Sequence, residues 1–90
     1  MNVAEATVEV RNRLGLHLRA ASTLAETVGK FGATVSITHG KTHVNARSVT
    51  SLIMLGAGKG TKLKVKAEGA DAREAVAAVR ALFDNCFGEE

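Results

Sequence analysis

The spacing of apolar residues switches period several times along this chain, and the order of the switches limits the folds open to it. Residues 3 to 10 alternate, with Ala6, Val8 and Val10 on one face and Thr7 and Glu9 on the other, as in a half-buried strand. From Leu18 to Phe31 the repeat turns helical: Leu18, Ala21, Leu24, Ala25, Val28 and Phe31 form one stripe. Gly29 and Gly32 bracket its end, and Gly32 is the better C-cap candidate. Val35 and Ile37 then alternate with Thr34, Ser36 and Thr38, and His39-Gly40-Lys41 turns the chain into a third strand around Thr42 to Ala46.

The run Val49 to Leu55 fits a strand or a short helix by periodicity alone. Ser48 as an N-cap and Gly56 as a stop favour the helix. Leu63, Val65 and Ala67 alternate with Lys62, Lys64 and Lys66, so the lysines form a solvated sheet face or an edge protected against unwanted pairing. Asp71 and Glu74 have the spacing of an N-terminal capping pair. Beyond them Ala72, Ala75, Val76, Val79, Leu82, Phe83 and Cys86 mark a broad helical face, on which Cys86 reads as a small core group. The order strand, helix, strand, strand, short helix, strand, long helix describes an α+β domain spanning residues 1–90. Two long helices cover one side of a four-stranded sheet, and the Thr/Glu/Lys side faces water.

Such a chain has little room for a deep pocket. It has 90 residues, three Phe and neither Trp nor Tyr, so its core is mainly Val, Leu, Ile and Ala and its site is expected to be shallow. One cysteine excludes an internal disulfide framework, and three scattered histidines lack the spacing of a metal site. Glu5 and Glu9 interrupt the first residues and no apolar run reaches signal length, which points to the cytosol and against membrane insertion. The net charge of +3, with Lys59, Lys62, Lys64 and Lys66 grouped and Glu89 and Glu90 acidic, suits an acidic protein partner. It does not suit nucleic acid, since no stacking platform or recognition motif accompanies it. Gly56-Ala57-Gly58-Lys59-Gly60 lacks the order of a phosphate-binding P-loop and reads as a flexible turn.

One segment carries chemistry. In Asn12-Arg13-Leu14-Gly15-Leu16-His17-Leu18-Arg19-Ala20-Ala21 a strand ends, a glycine turns the chain and an amphipathic helix starts at His17. An imidazole is nucleophilic near neutral pH, and here it lies beside free helix amides and two residues from a guanidinium. Those amides and Arg19 are suited to the charge of a phosphoryl group placed on His17.

These residues, with Gly40-Lys41, Asn45-Ala46-Arg47-Ser48 and Leu55-Gly56-x-x-Lys59-Gly60, resemble the HPr phosphocarrier family of the bacterial phosphoenolpyruvate-dependent phosphotransferase system. The run Leu52 to Leu55 and the tail from Ala81 look more like its nitrogen-related branch, NPr. The resemblance implies an open-faced two-layer sandwich, βαββαβα, with antiparallel strand order 1-4-2-3. It implies a monomeric carrier in which His17 accepts a phosphoryl group on Nδ1 from Enzyme I and passes it to a IIA protein or domain, for sugar uptake or nitrogen-related regulation. Arg19 matches the family's active-site arginine, within a turn formed by Gly15, Leu16, Leu18 and Ala20. Ser48 matches the serine phosphorylated by HPr kinase/phosphorylase in some bacteria. No cofactor is implied for this chain; magnesium and phosphoenolpyruvate belong to Enzyme I. The family usually has proline where this chain has Ala20, so a less restrained turn is expected. Leu16, Leu18, Ala20, Leu52 and Ile53 are expected to form a small apolar docking surface. The alternative is a noncatalytic regulatory or interaction module with the same fold.

Overall fold

Alternation in the strands sorts their side chains into two rows, and the register shows where each row goes. In the computed structural model, which describes residues 2–89, the elements are β1 (Val3–Glu9), α1 (Leu18–Val28), β2 (Thr34–His39), β3 (Thr42–Asn45), α2 (Val49–Met54), β4 (Lys62–Glu68) and α3 (Ala72–Asp84). A short 3-10 turn, Cys86–Gly88, follows α3. Glu90, half of the closing acidic pair, lies outside the described residues. The strands form one antiparallel sheet in the order β1-β4-β2-β3. Ala6, Val65, Ile37 and Val44 are aligned across all four strands and form an inner row. Thr7, Lys64, Thr38 and His43 form an outer row beside it.

The helices cover the inner rows. Val35, Ile37, Leu63 and Val65 share one buried cluster with Leu24 and Val28 of α1, Leu52 of α2 and Val79 and Phe83 of α3. Leu24 is fully buried, and burial of such a side chain contributes about 1.5–3 kcal/mol. The layered α+β architecture and strand order implied by the family resemblance are therefore observed.

Several local expectations are corrected. The lysines of β4 lie on the solvent face of an interior strand, so they protect no edge; β1 and β3 are the edges. Helix α1 ends at Gly29, whose N–H donates to Ala25 O and Thr27 O with helical φ, while Gly32 donates its N–H to Asp71. Leu18 is 64% exposed. At about 100° per residue it lies on the rim of the arc centred on Leu24 and Val28, and Ala20 takes the inward place.

Asp71 makes no side-chain cap on α3. With φ −106° and ψ 31°, its backbone is not in the extended conformation usual for an N-cap, and its carboxylate accepts from Gly32 and Ala33 instead. Cys86 lies beyond the end of α3, half-buried, at a left-handed φ of 54°. Leu52, Leu16 and Ala20 are buried and present no docking surface. Ile53 remains exposed, joined by Leu14, Leu18 and Met54. Helix α2 has only six residues, so the side chain that anchors it inward is unavailable outside.

Candidate active site

The turn before α1 is built around a buried amide. Asn12 is fully buried, and its Nδ2 donates to Gly15 O at 2.6 Å while Gly15 N–H donates to Asn12 O at 3.1 Å. Gly15 has φ +72°, and a Cβ there would stand 2.7 Å from Ala57 O and 2.9 Å from Gly58 Cα. Both the backbone sign and the close approach require glycine. Leu16 then buries its side chain and donates its N–H to Ala57 O at 2.9 Å, fixing the turn to the loop before β4.

This delivers His17 to the N-cap of α1 in extended conformation, φ −81° and ψ −178°. Its carbonyl accepts the first helical bond, from Ala21 N–H at 2.8 Å. Its ring replaces the usual capping oxygen, with Nδ1 accepting from Arg19 N–H at 3.2 Å. An amide can only donate, so this contact requires an unprotonated Nδ1 and, in the neutral ring, puts the proton on Nε2. Nε2 faces a carboxylate, Glu89 Oε1, at 2.7 Å. The hydrogen-bond partners on both sides thus select the same tautomer, with the Nδ1 lone pair at the helix N-terminus. The His17 side chain is 27% exposed, open to a partner without an enclosing pocket.

Glu89 Oε1 also accepts from Asn12 Nδ2, at 2.8 Å. The hydrogen bond from His17 is the main reason its carboxyl is held below the ordinary value. The bond from Asn12 and the positive charge of Arg19 act in the same direction, against partial burial. Asn12 Oδ1 is buried with no partner among the described residues, because the two acceptors aim the other end of the amide. Arg19 is exposed on the first turn of α1. Helix geometry leaves the amides of Leu18 and Ala20 ahead of the first ladder bond, beside the ring.

Gly15, Leu16, His17, Leu18, Arg19 and Ala20 thus lie together, and Ser48 belongs to a second element. It caps α2, accepting from Ser51 N–H at 3.2 Å. The other histidines are engaged elsewhere: His39 Nδ1 lies 3.2 Å from Leu55 O, and His43 Nδ1 2.8 Å from Thr38 Oγ1. Among the described residues no group of three or more His, Cys, Asp or Glu is arranged to hold a metal ion, and no helix is long and apolar enough to cross a membrane. The sequence reading missed Glu89 as a site residue. It comes from 72 positions away, and only a folded chain brings it to His17.

Known proteins are similar to this chain over most of its length. Residues 4–85 match the family described as the PTS HPr component phosphorylation site. The chain is 39% identical to the phosphocarrier protein HPr of Neisseria meningitidis over 83 residues, covering 92% of this chain and 93% of that one. It is 42% identical to the phosphocarrier protein NPr of Escherichia coli over 85 residues, covering 93% and 94%. The crystal structure of HPr from Thermoanaerobacter tengcongensis superposes with a TM-score of 0.93 at 37% identity, covering 97% of this chain and 98% of that one. The chain belongs to the HPr/NPr family of the phosphotransferase system, whose members are phosphoryl carriers rather than stand-alone enzymes.

Proposed function

We propose that this chain acts as one phosphocarrier domain, taking a phosphoryl group onto Nδ1 of His17 from phosphorylated Enzyme I and handing it to a IIA protein or domain. The observation that carries this reading is the Nδ1 lone pair at the N-terminus of α1, in contact with the Arg19 amide at 3.2 Å. In the acceptance step the Nδ1 lone pair forms a bond to phosphorus. The bond from phosphorus to the donor nitrogen breaks, and its electron pair returns to the donor ring. The proton on Nε2 stays in place. Such transfer depends on alignment and on stabilising anionic oxygens.

The donors for those oxygens are at hand. When Nδ1 binds phosphorus it can no longer accept from Arg19 N–H, so that amide is released to a phosphoryl oxygen along with the free amide of Leu18. The Arg19 guanidinium adds charge-assisted bonds from solvent. An open site suits a carrier, because tight enclosure of the phosphorylated form would slow its onward transfer. Leu14, Leu18, Ile53 and Met54 are exposed apolar side chains on the site segment and on the adjacent α2, a surface for both partners.

The test is incubation with phosphoenolpyruvate, magnesium and Enzyme I, then phosphosite mapping under non-acidic conditions. Acid-labile phosphate on His17, transferable to a IIA protein and lost in His17→Ala, is the expected result. Phosphate on another residue, or a folded His17→Ala protein that still relays phosphate, overturns the reading.

A further inference from the structure

We infer that Glu89 is a positioning residue for phosphoryl transfer, holding the His17 ring through its Nε2 proton while Nδ1 reacts; this rests on the carrier reading above. Glu89 lies outside residues 4–85, the span that matches the family. Its position is built by a reversal of the chain after α3. Asn85 ends the helix, and Cys86 and Phe87 then take left-handed φ values of 54° and 55°. Neither is glycine, so each holds a backbone conformation that L side chains disfavour. The reversal is held by Phe87, whose ring meets that of the fully buried Phe83 edge-on with centroids 4.8 Å apart. At its far end one oxygen, Glu89 Oε1, takes hydrogen bonds from His17 Nε2 at 2.7 Å and from buried Asn12 Nδ2 at 2.8 Å.

The chemistry gives that carboxylate a role. A free imidazole exchanges its proton between two nitrogens, and only the form protonated on Nε2 offers Nδ1 as nucleophile. A carboxylate on Nε2 selects that form and fixes the ring plane, as an acidic residue does for the histidine of a catalytic triad. As the bond from Nδ1 to phosphorus forms, the ring gains positive charge while its proton remains on Nε2. Glu89 stabilises that charge from the side of the ring opposite the phosphoryl group. Asn12 fixes the carboxylate and also the Gly15 carbonyl, so one buried amide ties the nucleophile's partner to the turn that carries the nucleophile. Arg19 is the nearby cation that acts on Glu89 together with His17.

The experiment uses ¹⁵N-labelled wild type, Glu89→Ala and Glu89→Gln, each with an amide fingerprint to verify the fold. Ring ¹⁵N shifts of His17 in the unphosphorylated protein give the tautomer, and rapid-quench kinetics with phosphorylated Enzyme I give the uptake rate. The Nε2–H tautomer is expected to dominate in wild type and to lose part of that dominance in Glu89→Ala, where the Arg19 amide alone still selects it, with uptake slowed about tenfold. Glu89→Gln keeps an acceptor oxygen without the charge, so it retains the tautomer and falls between the two in rate. A folded Glu89→Ala protein with either the wild-type tautomer balance or the wild-type uptake rate overturns the inference. Should Glu89→Ala fail to fold, Glu89→Gln decides it: an uptake rate equal to wild type overturns the charge-stabilising role. Phosphate mapped to a residue other than His17 in wild type refutes the carrier reading itself, while the ring shifts report separately whether Glu89 sets the tautomer.

Discussion

The carboxylate of Asp71 accepts the amide of Gly32 at 2.9 Å across 39 positions of sequence, and its second oxygen accepts that of Ala33 at 2.8 Å. The start of α3 is thereby tied to the loop leading into β2. The Gly32 bond is the main cause that holds the Asp71 carboxyl below its ordinary value of 3.8, helped by Ala33 and opposed by partial burial. A depressed carboxyl stabilises the fold fully above its ordinary value and ceases to do so as pH falls through the lowered one. Asp71→Ala should therefore lower the thermal midpoint at neutral pH, and the gap from wild type should close on acidification below pH 3.8. Thermal unfolding of both proteins followed by circular dichroism across that range checks the sign; a gap that widens in acid contradicts it.

Gly15→Ala should destabilise the protein by about 1–3 kcal/mol, since it forces an L side chain to positive φ. The new methyl also meets the backbone of Ala57 and Gly58, which cannot rotate away. Urea titration should show a lower midpoint with an unchanged slope. The uptake of phosphate should fall as well, because the turn displaced by the methyl carries His17.

Arg19→Ala should leave the thermal midpoint close to wild type, as the side chain is exposed. It should slow transfer by about tenfold to a hundredfold, the effect of losing about 1.5–3 kcal/mol of charge-assisted bonding to a migrating phosphoryl group. Stopped-flow transfer rates under chemistry-limited conditions measure this. Equal rates in the two proteins would assign Arg19 to the solvated surface alone.

Ser48→Ala should cost about 0.5–2 kcal/mol through the lost cap on α2, read as a shift in unfolding midpoint. Phosphate on the same hydroxyl would add charge next to Ile53 and Met54, both exposed. Homogeneously Ser48-phosphorylated protein should retain its fold and bind Enzyme I about tenfold more weakly than wild type. Calorimetric titration of the two forms measures the difference, and equal affinity removes Ser48 as a switch on docking.

The layers were legible in the sequence because alternation and helical spacing are local signals, and His17 was legible because glycine, histidine and arginine fall at one strand-to-helix turn. What was not legible depended on distant groups. Asp71 and Glu74 have the spacing of a capping box, but Gly32 and Ala33 offer the Asp71 carboxylate better-aimed donors than its own helix does. Cys86 continues the apolar rhythm of α3 in sequence, yet the helix ends at Asp84 and two left-handed residues turn the chain away. Leu52 and Ile53 are neighbours of similar character, and only the packing of a six-residue helix decides that one is core and the other surface. Glu89 has no local mark at all.

Asn12 and Glu89 are 77 positions apart and meet at His17, while Leu16 hangs from Ala57 in a third stretch of chain. The site closes only when segments from near both ends of the chain meet. On the carrier reading proposed above, phosphate uptake should therefore count native molecules: under denaturing stress, the fraction of chains that Enzyme I labels should track the fraction that have closed the entire domain.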